Sequence, residues 1–419
     1  MAIREALLER ADWRAHGDAR RADAFELRTF DELHLELERV AAAFDDPDLL
    51  VFASKHAGET GPLLTAHFTG NFGPADHGGA TGELAAAAPD AQKRVVAALE
   101  SHAPPAYDVG IECTHHGPSE VGVPSMFVEL GSSASEWTDP EGAAAIAESI
   151  LELGSASAGH ERTVVSFGDD HYAPRPARVL TETDWRVGHI GSDWALDAMG
   201  SPASNPGVLR AAFERSGASR ALVAGDRPEL RETIAGLGYR VVSETFLQET
   251  TGVPLSLVAA LEGRLGEVSE GLRFGAPARE RDGAGEYVVR DLPDELLAEC
   301  AGIDQEGTRA AVAAATLAYE TVEGGTLVEG RAAFPDGDAY DDLIASLGDL
   351  LAGKYDDVTR TEEELVAERA AFDPEAAHEA GVPEGPAFGA LADGETVEVD
   401  GKTVEPATVR RSETLRFDL

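Results

Sequence analysis

Between residues 49 and 242, short apolar runs alternate with helical patterns, and this alternation restricts the fold more than any other feature of the chain. Residues 49–54 (LLVFAS), 109–113, 125–131, 163–167, 220–224 and 239–242 predict strands; 85–99, 140–153, 207–215 and 228–237 predict helices. Such alternation implies an α/β fold, three-layer α/β/α about a mostly parallel sheet, with ligand loops at the carboxyl ends of the strands. From 266 to 286 the pattern loosens into Gly, Ala, Pro and charge, which predicts a linker. The expected division is a catalytic domain over 1–270 and a small, mainly helical, acidic extension over 271–419. In that extension helices are predicted at 295–300, 309–319, 340–352 and 362–371, and a hairpin at Asp400-Gly401.

No apolar run approaches the ~18 residues that cross a bilayer, and the opening MAIREALLER lacks a secretory apolar core. A cytoplasmic location without a membrane partner is expected. Cys113 and Cys300 can build neither a disulfide framework nor a four-thiolate zinc site, so a metal would be held by His and carboxylate. The 77 acidic and 34 basic residues leave a net charge of −43, dispersed through every element, and only Lys55, Lys93, Lys354 and Lys402 are lysines. This dispersion fits solvation by brine, where a Debye length of ~3 Å at about 1 M screens self-repulsion. Under that reading the charge carries little information about the ligand.

Glu129 lies within the apolar run MFVELG, where an ionised carboxylate costs several kcal/mol, of order ~3, unless a cation or strong donor meets it. Backbone amides, an arginine or a metal ion could each answer that cost. Nine of the twelve histidines lie between His56 and His189. His56 follows the strand LLVFAS, His115 and His116 follow VGIEC, and His171 follows TVVSF after GDD. In an open parallel sheet such strand ends lie side by side, so these imidazoles could converge with Glu112 or Glu129 on a divalent ion such as zinc. Taken singly, a histidine at a strand end is more often a loop hydrogen-bonder. His115 and His116 can meet one ion only if the backbone has left the strand, as Gly117-Pro118 suggests. His77 and His160 read as surface residues, His34 and His102 as structural ones.

The segment HFTGNFGPADHGG, residues 67–79, has glycines that permit close approach to a phosphate or sugar, but neither P-loop nor dinucleotide spacing. No G-x-S-x-G precedes a helix, and neither cysteine has an activating setting. Metal-assisted or substrate-assisted hydrolysis therefore fits better than covalent catalysis.

Taken together, SKH (54–56), HFTGNFGP (67–74), ECTHHGP (112–118), PSMFVELGSSASEW (124–137), SFGDDHYAP (166–174) and GHI (188–190) resemble the archaeal and plant type of D-aminoacyl-tRNA deacylase, over residues 1–265. The resemblance implies hydrolysis of the ester joining a D-amino acid to the terminal ribose of tRNA, with one or two zinc ions, on a fold akin to peptidyl-tRNA hydrolases and nucleoside phosphorylases. On that reading the catalytic roles are expected of His115, His116, Glu129 and His171. Substrate contacts would come from His67, Gly70, Asn71, Gly73, Gly117, Pro118 and His189, with Gly78 and Gly79 as further candidates. Metal ligands would be found among His56, Glu112, His115, His116, Glu129 and His171, and Arg175, Arg178 and Arg186 are candidates for phosphate contacts. The expected partner is D-aminoacyl-tRNA, not DNA, and the expected state is a monomer. Members usually begin with a further strand before the helix that here starts near Ile3, so that strand is expected to be missing. The alternatives are a peptidyl-tRNA or nucleoside hydrolase or phosphorylase on the same fold, and a non-catalytic tRNA-binding module. Residues 381–406 weakly resemble the closing segment of ribonuclease Z-like metallohydrolases without their metal motif, and the extension is expected to serve stability or tRNA contact.

Overall fold

The computed structural model describes residues 2–154 and 161–419, so His160 lies outside the described residues. The chain divides into two compact units, Met1–Thr251 and Gly252–Leu419. The first opens with α1 (Ala2–Arg10) and a small antiparallel sheet of β1 (Arg14–His16), β2 (Ala19–Ala22) and β3 (Phe25–Leu27). There follow β4 (Leu50–Lys55), β5 (Leu63–His67), α2 (Pro89–His102), β6 (Asp108–Ile111), β7 (Ser125–Gly131), α3 (Pro140–Leu151) and β8 (Thr163–Asp169). Then come α4 (Pro174–Glu182), β9 (Arg186–Ser192), α5 (Asp193–Met199), α6 (Pro206–Ser216), β10 (Arg220–Val223), α7 (Pro228–Gly236), β11 (Arg240–Val242) and α8 (Glu244–Glu249).

The predicted alternation is present and the fold is mixed α/β. β5 and β9, however, were not expected. LLTAH carries little more than a strand's minimum, and RVGHIGS is diluted by glycine, so neither stands out as an apolar run. α2 starts at Pro89 instead of residue 85, because proline suits a first helical turn and disfavours helix in the residue before it. Its Val95, Val96 and Leu99 are buried as predicted, each side chain contributing about 1.5–3 kcal/mol. All seven residues of β7 are buried, as a central strand requires.

The large strands form two four-stranded sheets. In the order β11-β10-β8-β9 every pair is parallel. In the order β4-β7-β5-β6, β4 is parallel to β7 and β5 to β6, but β5 meets β7 antiparallel. The carboxyl ends of β4 and β6 therefore point in opposite directions. This corrects the expectation that His56 and the His115-His116 pair line one edge of a parallel sheet.

The second unit comprises α9 (Leu255–Glu262), β12 (Arg273–Phe274), α10 (Ala276–Arg279), β13 (Val288–Asp291), α11 (Asp294–Ile303), α12 (Gln305–Ala315), β14 (Ala318–Val322) and β15 (Leu327–Phe334). After these come α13 (Asp338–Leu351), β16 (Asp357–Arg360), β17 (Glu364–Phe372), α14 (Pro374–Glu379), α15 (Pro386–Ala392), β18 (Val397–Val399), β19 (Lys402–Val404) and β20 (Arg410–Asp418). Sheet and helix share this unit, contrary to the mainly helical expectation. The stretch predicted as a helix at 362–371 is the strand β17: its Glu, Ala and Arg favour helix, but pairing with β16 and β20 on both sides and burial of Leu365 and Ala367 beside Leu347 and Phe417 override propensity. The predicted linker contains β12 and α10 and is folded. The predicted hairpin is present, with Asp400 at φ +50° and Gly401 at φ +74°, the left-handed pair that a two-residue turn between β18 and β19 needs.

Candidate active site

The register of the mixed sheet gathers the site. Glu129 on β7 sits opposite Ser54 on β4 and Thr65 on β5, while Phe127 sits opposite Phe52 and His67. Alternate strand residues share a face, so Glu129, Phe127 and His67 look the same way. The N–H of Glu112 donates to the Ala66 carbonyl and prolongs β6 beside His67. Beyond it, the N–H of Cys113 donates to His171 O and that of Thr114 to Ile190 O, which ties the end of β6 to the loop after β8 and to β9. His171 is thereby brought to the same hollow. The backbone does leave the strand at the paired histidines: His116 adopts φ +45°, and both rings turn inward, their centroids 4.5 Å apart.

His67 and His115 stack at 4.3 Å, and His116 stands edge-on to His67 at 4.9 Å. Each of the three donates Nδ1–H to a backbone carbonyl, His67 to Phe68 (3.1 Å), His115 to Cys113 (2.8 Å) and His116 to Gly117 (2.7 Å). These bonds occupy each Nδ1 and leave each Nε2 without a backbone partner. One nitrogen from each lies within 4.8 Å of the others, and the buried Nε2 of His67 has no hydrogen-bond partner. Two further groups lie in the hollow: Cys113 with His171 and the shared His115, and a separate one of His56 with Glu112 and Glu129.

The carboxylates face imidazoles. Glu112 accepts from His171 Nε2 at 2.9 Å and has His56 Nδ1 at 3.3 Å and His115 Nε2 at 3.8 Å, although no hydrogen bond is directed at its Oε1. Glu129 lies 3.7 Å from His56 Nδ1 and 3.9 Å from His67 Nε2. Imidazoles thus face the buried carboxylate, a partner beyond the amides, arginine or metal ion weighed from the sequence. Burial alone would raise both carboxyls, but the facing imidazoles outweigh it and hold Glu112 well below the carboxylate range and Glu129 below it too. Burial also opposes charge on His56, yet Glu112 and Glu129 raise its pKa to about 9. The adjacent Cys113 sulfur, 3.4 Å from Nδ1, and then Glu112 raise His171 to about 10. Burial, reinforced by His67, pushes His116 down to about 3 and His115 well below the ordinary histidine value. The hollow thus holds two buried anions faced by imidazolium charge, beside two imidazoles kept neutral.

Several expected roles change. His189 is fully buried; its Nε2–H donates to Ala85 O at 2.9 Å, and its Nδ1 accepts from the Thr114 hydroxyl at 3.0 Å. Both of its ring nitrogens are thus engaged within the protein. Gly70, Asn71, Gly73, Gly117 and Pro118 also serve the protein. A Cβ on Gly117 would fall 2.3 Å from the Gly79 nitrogen, and one on Gly70 2.6 Å from Leu84 Cα. Gly73 abuts Ala198, Asn71 donates to Gly78 O at 2.9 Å, and the Gly117–Pro118 bond is cis within buried surroundings. The glycines let loop pack on loop. His67, expected to touch substrate, belongs to the imidazole cluster. Arg175 and Arg178 pair with Glu244, and Arg186 with Asp90 at 2.8 Å, so these three are engaged by carboxylates.

Other residues enter that sequence reasoning missed. His34, expected to be structural, lies 5.4 Å from the Phe127 ring and 6.5 Å from His116. Tyr172 places Oη 3.2 Å from His56 Nε2, and Trp137 donates its indole N–H to His56 O at 2.7 Å. Cys113, read as inert, stands against His171. Its adjacency to the His115-His116 pair was the one available signal. His102, by contrast, faces Glu148 and Glu152 away from the hollow.

A sequence model described as D-aminoacyl-tRNA deacylase matches residues 43–242, which span this hollow. The chain is 55% identical to a D-aminoacyl-tRNA deacylase of Natronomonas pharaonis, covering 97% of this chain and 95% of that one. It is 51% identical to one of Haloarcula marismortui (98% and 93%) and 32% identical to one of Methanoculleus marisnigri (89% and 85%). Among solved structures it resembles the conserved protein of unknown function AF0625, with TM-score 0.55 and 27% identity over 60% of this chain and 93% of that one. Identity of this extent along nearly the whole length leaves one conclusion: the chain belongs to the D-aminoacyl-tRNA deacylase family.

Proposed function

We propose that the imidazole–carboxylate hollow is where this hydrolase cleaves the ester between a D-amino acid and the terminal ribose of tRNA, with a divalent metal, zinc by the character of its donors. The observation that carries the reading is the cluster itself: three imidazoles each spend Nδ1–H on a backbone carbonyl, and one nitrogen from each lies within 4.8 Å of the others. Metal-binding histidines are oriented in this way, and three imidazoles with an open position form a recurrent catalytic zinc site. His67, His115 and His116 would hold the ion, with His56, Glu112 and Glu129 as a second set beside it. When bound, the ion supplies Lewis-acid polarisation and acidifies water near neutral pH.

The chain's own residues do the rest. Buried Glu112 and Glu129 form an anionic floor, and Glu112 keeps His171 charged. His171, partly exposed at the mouth and fixed by Glu112, would give a proton to the ribose oxygen as the carbonyl–oxygen bond breaks and regain one from the water that adds to the carbonyl carbon. Free D-amino acid and tRNA leave. An aminoacyl ester is labile, so modest assistance suffices. Chirality would be read by shape, the D side chain lying in open space and the L side chain driven into backbone.

Around this site we read the first unit as a three-layer α/β/α domain, with α2 against β5, β6 and β9 and α3 against β7, acting as a monomer in the cytoplasm. The test is deacylation of D-Tyr-tRNA beside L-Tyr-tRNA in molar salt, with and without chelator. Selective, chelator-sensitive cleavage of the D form is expected. Equal cleavage of both forms refutes chiral proofreading, and indifference to chelator refutes a catalytic metal.

A further inference from the structure

We propose that Tyr172 and Trp194 form a stacking platform for the unpaired 3′-terminal nucleotides of the acyl-tRNA, an inference that rests on the site assignment above. Among the described residues, the exposed large apolar side chains include just two aromatic ones, Tyr172 at 38% and Trp194 at 49% exposure. Both follow the carboxyl ends of neighbouring parallel strands. Asp169 of β8 pairs with Ser192 of β9; Tyr172 comes three residues after the first and Trp194 two after the second. The two residues therefore follow the same end of the parallel sheet, and both side chains are exposed.

Tyr172 also borders the hollow. Its Oη lies 3.2 Å from His56 Nε2, and its ring stands edge-on to His171, with centroids 4.9 Å apart. At the start of α5, Asp193 is paired with Arg227, which anchors the turn that carries Trp194. An aromatic face left in water beside a site that must receive a single-stranded end suits base stacking, the usual recognition of unpaired nucleotides.

Electrostatics point the same way. With a net charge of −43, and with Arg175, Arg178, Arg186 and Arg227 all facing carboxylates, few cations near the site are left for phosphates. Phosphate contacts also weaken steeply with salt, whereas stacking does not depend on charge. A chain with this surface in molar salt needs a contact of that kind to hold the end of an anionic substrate.

The test is steady-state deacylation of D-Tyr-tRNA by the full chain in molar KCl, together with competition by a CCA trinucleotide. Tyr172→Leu and Trp194→Leu are expected to raise KM about 5-fold or more each and to weaken CCA inhibition to the same degree, with kcat of Trp194→Leu within about twofold. Tyr172→Phe, which keeps the ring, is expected to restore most of KM. Unchanged KM and unchanged CCA inhibition in both leucine variants would overturn the proposal. So would a fall in kcat alone for Tyr172→Phe, which would assign the phenol to His56, or loss of a dimer in Trp194→Leu with KM unaltered, which would make the face a contact between copies. An inactive wild-type protein would instead sink the assignment of the site itself.

Discussion

The Nε2–H of His171 donates to Oε2 of Glu112 at 2.9 Å, joining the loop after β8 to the continuation of β6. The same carboxylate faces His56 and His115, so one buried anion organises three imidazoles that come from three separate strands.

Glu112→Gln keeps the shape and removes the charge. Metal affinity is expected to fall about 10- to 100-fold, as when an orienting partner of a ligand is lost, and kcat/KM for D-Tyr-tRNA by about 100-fold or more. Single-turnover deacylation and zinc titration check both. A rate equal to wild type would reduce the pair to a structural contact.

His67→Phe preserves the ring that stacks on His115 and on Phe127 at 5.2 Å, but deletes both nitrogens. Bound zinc per chain, measured by elemental analysis, is expected to drop well below that of wild type while the melting temperature moves by only a few degrees. Dialysis of wild type against chelator should abolish deacylation, and added zinc should restore it. Full metal content in His67→Phe would remove this imidazole from the ligand set.

His189 gives a pH signature. Burial lowers its folded-state pKa to about 4, so between about pH 4 and 6.5 the unfolded chain binds a proton that the folded chain does not. Its contribution is therefore fully present above about 6.5 and lost as pH falls toward 4, about 3 kcal/mol in all. His56 and His171, raised to about 9 and 10, slope the other way and only above about 6.5. Denaturant unfolding at fixed salt should show the stability gap between wild type and His189→Gln shrinking on acidification from pH 7 to 4. A constant gap would contradict the neutral tautomer.

Lys93 reaches the carbonyls of Leu180, Thr183 (2.6 Å) and Trp185 (3.2 Å) at the end of α4. Lys93→Met keeps the apolar stem and strands these acceptors. We expect a loss of about 2–4 kcal/mol in unfolding free energy with KM unchanged. A loss under about 0.5 kcal/mol would mean that water replaces the ammonium at no cost.

Part of this molecule is legible in one dimension. Strands β4, β7, β8 and β10 announce themselves because their apolar runs are bounded by turn residues, and Asp400-Gly401 marks its hairpin because few other pairs accept two left-handed residues. Glu129 needs a partner simply because it sits in MFVELG. β5 and β17 are obscured for opposite reasons: LLTAH is short, and ELVAERAAF has helical composition that only its neighbours overrule.

The sequence by itself determined the α/β class, the family, the dispersed acidity and the set of residue types available for chemistry, all of which follow from local pattern and composition. Only the tertiary structure decided that β5 runs antiparallel to β7, and hence that the histidines meet over a sheet face instead of along one edge. It also placed His189 and the glycines in close contact with other parts of the protein, and brought His67, His34, Cys113 and Tyr172 to the hollow. Which groups lie within a few ångströms depends on register, strand direction and burial, and these are settled by chain segments far apart in sequence.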